Sequence, residues 1–524
     1  MKKSSYTKRV IYLIFASAII RSFLAFIMEL SSEEAYYWTF ALYPELSNFD
    51  QPPMIGWFIQ LFSNNLFFDS EFFVRFASVI CGSANIWIVF IIGRKLKGEQ
   101  TGFYSSVLFT ISFYLSIISG VFILPETPQT LFYLLSLYFL LEGIIPRDTG
   151  CSESRIICIM ALIMAGIFIG LSILSKFSSL LLWIGVIGYA AFYNRELFKR
   201  VELYASFIIS MLFLIPVYIW NFRNNFLGVE YITGLTQLSS GFDLKSLTMA
   251  IIIPFLINNP FNLAIISRAL AKYSSLKFLA APQMKLLLSL SLPVIILSIG
   301  LSAFSRSFIY AVSLGISPLV FIAGSYISEI VKNGGNKIVS GMLKAGVIFF
   351  LIALFSSLLH LYTGVFNTNF LVKGDSHKIG MDDITIERYG WRDLSAEFGK
   401  IRELDIALGK ISERSYILEF GYKEAAHAHY YLARPNNTVV KTIGSVNKTR
   451  KYAWITRKLG GVKLGESVYC IESSANERGI YEFGRNYFER TELASTIYIY
   501  RINQPVVRYN IYRLINLKEK PHNI

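Results

Sequence analysis

Over its first two thirds this 524-residue chain gathers hydrophobic residues into long unbroken runs. Each is about 20 residues long, the length a helix needs to cross roughly 30 Å of hydrocarbon. The runs fall near 10–30, 74–93, 102–120, 127–145, 156–173, 178–193, 203–220, 246–266, 285–303, 308–330 and 340–362. They predict about eleven transmembrane helices, with thirteen as an upper bound. Unpaired backbone groups are so costly in lipid that only helices or closed barrels span it, and no barrel-like alternation competes.

The pattern changes after Tyr362 to mixed polar and apolar positions. Gly390 to Ile411 reads as an amphipathic helix with Leu394, Phe398, Ile401 and Leu404 on one face. Tyr416–Phe420, Ser467–Ile471 and Ser495–Tyr500 have strand character, and Lys423 to Leu432 that of a second helix. The expected fold class is a polytopic α-helical membrane protein with a soluble C-terminal α/β domain. Residues 1–363 form the membrane domain, with a first outer loop at 31–73, and 364–524 the soluble one.

Composition agrees: 54% of residues are hydrophobic and 16% charged, too apolar for a soluble domain of this length. Lys2, Lys3, Lys8 and Arg9 before the first run resemble a signal peptide, but no small-residue cleavage site follows, so a retained first helix is expected. The other basic clusters, Arg94-Lys95-Lys97, Arg195-Lys199-Arg200, Arg268-Lys272-Lys277 and Lys332-Lys337, fall in every second loop, which places those loops in the cytoplasm. The opposite set carries Glu33, Glu34, Glu45, Asp50, Asp69, Glu71, Glu126, Glu230 and Asp243, so chemistry is expected on the outer face. This bias accounts for much of the net charge of +15, and no basic-aromatic stripe points to nucleic acid. Cys81, Cys151, Cys158 and Cys470 form neither a disulfide framework nor a metal-ligand spacing.

The first outer loop is the richest in chemistry. Ser31-Ser32-Glu33-Glu34-Ala35-Tyr36-Tyr37-Trp38 is closed by Asn48-Phe49-Asp50-Gln51-Pro52-Pro53, which puts three carboxylates at a membrane surface where desolvation is costly. A plainer reading makes Glu33 and Glu34 the acidic first turn of a helix capped by Ser31 or Ser32, and both readings can hold. Tyr36, Tyr37, Trp38 and Trp57 read chiefly as an interfacial aromatic belt, and Pro52 to Ile59 as the start of a surface helix. Lys176 lies between two apolar runs and needs an anionic partner or a path to the interface. Arg75 and Arg306 are further cations of this kind, with Arg223 weaker. His427 and His429 read as a satisfied surface pair.

In order along the chain, Glu33–Trp38, Phe49–Pro53, Phe73–Ser78, Leu124–Pro128, Leu174–Ser178, Ile219–Asn221 and Tyr389–Leu394 resemble motifs of the GT-C glycosyltransferases of the protein O-mannosyltransferase and lipid A aminoarabinosyltransferase superfamily. The resemblance implies transfer of a sugar from a polyprenyl (undecaprenyl) phosphate carrier to an acceptor at the periplasmic face of a bacterial inner membrane. The acceptor it points to first is lipid A or another lipopolysaccharide component; a protein serine or threonine is the alternative. It also implies that Glu33 is the base. The family usually shows Asp-Glu where this chain has Glu33-Glu34, His at Gln51 and Asp at Glu126.

The chemistry supports this division of labour. A hydroxyl attacking an anomeric carbon must lose a proton, which a carboxylate can take. A lipid phosphate leaves as an anion and needs positive charge in place of an acid. The expected catalytic set is Glu33, Glu34, Asp50 and Glu126, with Lys176, Arg75 and Arg306 on the donor phosphate. No cofactor is required; if magnesium or manganese is held, Glu33, Asp50 and Glu126 are its ligands. The rival from another class, a non-catalytic transporter of lipid-linked sugars, should show broken helices at the midplane, and Asn258-Asn259-Pro260 is the one such break.

Overall fold

A computed structural model describes residues 5–145, 152–235, 242–304, 309–366, 379–381, 383 and 385–521. Packing divides the chain into two compact units, Met1–Phe26 with Pro44–Ile352, and Ile27–Tyr43 with Ala353–Ile524.

The first unit is helical. Among the described residues, seven helices are long and apolar enough to cross a membrane: Ser5–Ile27, Glu71–Lys97, Arg155–Ser175, Val201–Arg223, Ala281–Ser302, Tyr310–Lys332 and Lys337–Thr363. The pair Leu244–Ile257 and Pro260–Leu276 is long and apolar enough only when taken together, and it is bent by 95° at the break. Of the other expected runs, 127–145 is the unbroken helix Glu126–Ile144, and the rest are shorter or broken. Residues 102–120 divide into the helix Glu99–Thr110 and a π-helical turn at Tyr114–Ile118, and Phe177–Tyr193 is a short apolar helix.

Several buried polar side chains inside this unit find partners on neighbouring segments, as low-dielectric surroundings favour. Arg21, on the first span, is buried and donates Nε to the Ser116 carbonyl (3.1 Å) and Nη2 to the Ser116 hydroxyl (3.2 Å). Gly82 and Gly120 make room for it: a Cβ at either would stand about 3 Å from the guanidinium (3.1 and 3.0 Å). At the 95° bend, Asn258 donates to Pro254 O (2.9 Å) and Ser313 Oγ (2.8 Å), and Asn259 to Ile111 O (3.1 Å) and Gly346 O (2.8 Å). The broken turn thus has its hydrogen bonds met by the surrounding protein.

The second unit is built on a five-stranded sheet of order β2-β1-β3-β5-β4. Its strands are β1 (Ile417–Glu419), β2 (Val440–Thr442), β3 (Val468–Ser473), β4 (Phe488–Arg501) and β5 (Gln504–Leu517). β1 pairs in parallel with β2 and β3, while β5 runs antiparallel to β3 and β4. Leu418, Cys470, Ile480, Phe488 and Leu514 form its core.

The helix expected from Gly390 spans Trp391–Ala407 and buries Leu394 and Phe398. Leu404, however, is 58% exposed, and the buried face continues through Arg402 and Asp405. Asp405 accepts from Arg513 Nε (2.6 Å) and the Tyr469 hydroxyl (2.9 Å). A polar network therefore takes the place of an apolar stripe there.

Candidate active site

The acidic pair stands at the start of the helix Ser32–Leu42, capped by Ser31 as the Ser-x-x-Glu spacing allows. Glu34 Oε2 accepts from the Ser31 backbone N–H (3.0 Å) and hydroxyl (3.1 Å), and the Glu34 N–H donates to Ser31 Oγ (3.4 Å). Its side chain is fully buried, with Arg388 Nε 3.8 Å from the carboxylate. Glu33 is one third exposed: its Oε1 accepts from the Tyr422 hydroxyl at 2.6 Å, with Lys423 Nζ at 3.8 Å. One carboxylate is thus committed to closing its own helix, while the other faces solvent with a phenol fixing its orientation.

This segment is stitched to the sheet unit. Glu29 accepts from the Trp391 and Arg392 N–H groups (2.8 and 3.1 Å), capping the helix Trp391–Ala407. The Leu30 N–H donates to Tyr431 Oη (2.6 Å), and His427 Nε2 donates to the Leu30 carbonyl (3.1 Å), which fixes the proton on Nε2 because a carbonyl only accepts. Tyr36 packs edge-on against Tyr422, and Trp38 against His429 and Tyr430. Tyr36, Tyr37 and Trp38 are buried, so they are core residues here and not an interfacial belt. His427 and His429 are likewise buried, not on the surface; burial holds both at about 4.

Three motifs of the first unit meet. Lys176 is in extended backbone between the helix ending at Ser175 and a short 3-10 turn, and its Nζ lies 2.5 Å from Glu126 Oε1 in a largely buried ion pair. Glu126 opens the helix Glu126–Ile144. Around this pair Gln129 Nε2 donates to Ser178 Oγ (2.9 Å) and Ser179 Oγ (2.8 Å), and Ser172 Oγ to Gln129 O (3.3 Å). Ser78 Oγ shares a hydrogen bond with Thr127 Oγ1 (3.2 Å). Arg75 lies over the Phe122 ring (5.9 Å) and donates Nη1 to Ala25 O (3.2 Å); it is wholly buried.

Asp50 is buried in the turn in which the Asn48 N–H donates to the Gln51 carbonyl (3.2 Å). The turn is backed by Gly228, where a Cβ would fall 2.9 Å from Phe49 O and 2.8 Å from Asn221 Oδ1. Asn221, from the Ile-Trp-Asn motif, accepts from the Val229 N–H (3.1 Å). Arg223 is exposed, and Arg306 lies outside the described residues.

Tyr422, Lys423, Arg388 and Gln129 are neighbours that sequence reading did not single out. Gln129 and Arg388 flank motifs without belonging to them, and Tyr422 lies 389 positions from the acid it contacts. Among the described residues no group of three or more His, Cys, Asp or Glu side chains is arranged to hold a metal, and Glu126 is already engaged by Lys176.

Residues 50–220 match the family described as dolichyl-phosphate-mannose-protein mannosyltransferase. No curated protein sequence matches the chain. The whole fold is similar to two crystal structures of ArnT from Cupriavidus metallidurans, each 13% identical. The form bound to undecaprenyl phosphate aligns with a TM-score of 0.63 and the apo form with 0.64, each covering 98% of this chain and 99% of the other. The expected fold class is borne out: this is a multi-pass membrane protein with the GT-C fold and a C-terminal sheet domain.

Proposed function

We propose that the chain is an inverting glycosyltransferase that moves a sugar from a polyprenyl-phosphate carrier to an acceptor hydroxyl. The observation that carries this is the unequal treatment of two adjacent carboxylates: Glu34 is buried in a helix cap while Glu33 is one third exposed and held by a tyrosine. A cap alone needs one acid. The family match over 50–220, and the full-length likeness to a fold crystallised with undecaprenyl phosphate, support a lipid-linked donor.

In this reading Glu33 accepts the acceptor's proton as the new C–O bond forms at the anomeric carbon. The carrier phosphate leaves as an anion from the opposite side of that carbon and is met by positive charge. Lys176 supplies it; an ammonium has three donors, so it can hold Glu126 and a phosphate oxygen together. Glu126 and the Gln129–serine lattice orient Lys176, and Asp50 braces the loop. Arg75 is a second cation on the phosphate side, and Arg306 a third. No step runs through a metal.

In this reading the protein belongs to the bacterial inner membrane, with its sheet domain in the periplasm. Its acceptor is lipid A or another lipopolysaccharide sugar, with a protein hydroxyl as the alternative. The bend at Asn258-Asn259 does not favour a transporter, since its polar groups are taken up by protein partners. The test is turnover of a radiolabelled polyprenyl-phosphate sugar by the protein in nanodiscs, with mass spectrometry of lipid A from cells with and without the gene. Carrier release that stops with Glu33→Gln supports the reading; transbilayer movement without cleavage refutes it.

A further inference from the structure

β4 and β5 form a long hairpin whose two-residue turn, Ile502-Asn503, joins Arg501 to its partner Gln504. Both turn residues have positive φ (43° and 63°), the geometry of the tight hairpin turn that normally takes Asn-Gly. A β-branched residue is disfavoured in that region, so this chain places an apolar side chain at the tip at a conformational cost. Ile502 is 70% exposed. On the same face of β4, Tyr500 and Tyr498 are exposed as well, alternating with buried Ile499 and Arg501.

The tip is fastened to the end of a membrane-spanning helix. Arg501, completely buried, forms an ion pair with Asp383 and donates to Thr385 Oγ1 (3.2 Å), and Asp383 lies 3.4 Å from His360 Nε2. His360 is in the last turn of the helix Lys337–Thr363. Two residues on, Tyr362 donates its hydroxyl to Ile27 O (3.0 Å), the last residue of the first span, and its ring meets Tyr389, whose hydroxyl bonds to Tyr500 O (3.1 Å). The ends of two spanning helices are thus linked through Tyr362 and Tyr389 to the strand that leads into the turn. Val365 and Phe366, just past the helix, are also exposed.

We propose that the β4–β5 tip is an interfacial anchor: Tyr498, Tyr500 and Ile502, with Val365 and Phe366, insert into the headgroup region of the leaflet on the sheet domain's side. The occupant is lipid, and not a second protein, because the patch continues from the ends of helices that are themselves in the bilayer. Aromatic residues that present a polar hydroxyl beside apolar surface suit that depth. The Arg501–Asp383 pair holds the tip at this level.

The experiment uses the full chain in nanodiscs with Cys151→Ser and Cys158→Ser, since Cys81 and Cys470 are buried. Ile502→Cys carries a bimane, and phosphatidylcholine with a headgroup nitroxide is the quencher. Leu464→Cys is the control: it is exposed and adjoins Gly465, which bonds to Leu517 at the opposite end of the ladder, about 40 Å away at roughly 3.3 Å per residue. Quenching at 502 at least about threefold greater than at 464 is expected. Quenching at 502 no greater than at 464 overturns the proposal. The same low quenching with a ready 502–502 disulfide assigns the face to a second copy and overturns it too.

Discussion

Exchanging Glu33 and Glu34 one at a time separates proton transfer from helix closure. In Glu34→Ala the capping box is lost, about 1 kcal/mol for such caps. The buried Ser31 donors and Arg388 also lose an anionic partner, adding about 1–3 kcal/mol for groups left unsatisfied. The expected stability loss is therefore about 2–4 kcal/mol. Glu34→Gln keeps an oxygen for the Ser31 N–H, as Ser-x-x-Gln boxes do, and should be markedly milder. Glu33→Gln behaves oppositely. Its amide oxygen still accepts from Tyr422, and the 3.8 Å contact to a half-exposed Lys423 is worth at most about 1 kcal/mol. Stability should hardly move, while turnover falls at least about a hundredfold, roughly 2.7 kcal/mol on the barrier. The assay pairs single-turnover release of radiolabelled carrier phosphate with thermal unfolding of the same preparations. If Glu34→Gln abolished turnover with stability intact while Glu33→Gln turned over normally, the assignment would be reversed and the cap argument wrong.

Tyr422→Phe should lower kcat about tenfold at unchanged donor KM, the scale of one hydrogen bond to a charged group, as measured by initial rates. Lys176→Met or Glu126→Gln alone should destabilise the protein by about 2–4 kcal/mol by leaving a buried charge unpaired, and the double variant should recover part of it in a thermal double-mutant cycle. Gly228→Ala should cut turnover while leaving the protein folded, because its methyl displaces Phe49 and with it the turn holding Asp50; gel filtration and rates together check this. Burial holds His427 and His429 at about 4 in the folded state against about 6.5 unfolded. The unfolded chain therefore binds more protons between those values, and stability is complete above about pH 6.5 and falls as pH drops towards 4. Thermal midpoints from pH 7 to 4.5 should show that decline, and a His427→Gln, His429→Gln double variant should flatten it.

The membrane half was legible because lipid imposes one rule, length of apolar run, and seven of the eleven runs meet it in the described structure. Runs that mix Thr, Gln and Ser with apolar residues were harder to read, since those polar groups are satisfied by neighbouring helices that a local pattern does not reveal. β5 illustrates the same limit. Arg508, Asn510 and Arg513 disguise a central strand whose charges are neutralised by Glu477, Glu492 and Asp405 from elsewhere in the fold. At the candidate site the acids and Lys176 could be found from sequence, and the pairing of Lys176 with Glu126 follows a spacing of 50 residues that only tertiary packing selects. The choice between Glu33 and Glu34 needed the cap geometry and Tyr422.

Because Ile27–Tyr43 forms one compact unit with Ala353–Ile524, the acidic helix and the sheet domain are one exchangeable cassette. A chimera that swaps only the segment after the last span would graft a foreign phenol and foreign cations around Glu33. Donors of specificity should be recombined with both pieces together, at Ile27, Tyr43 and Ala353, so that the carboxylate travels with the surroundings that orient it.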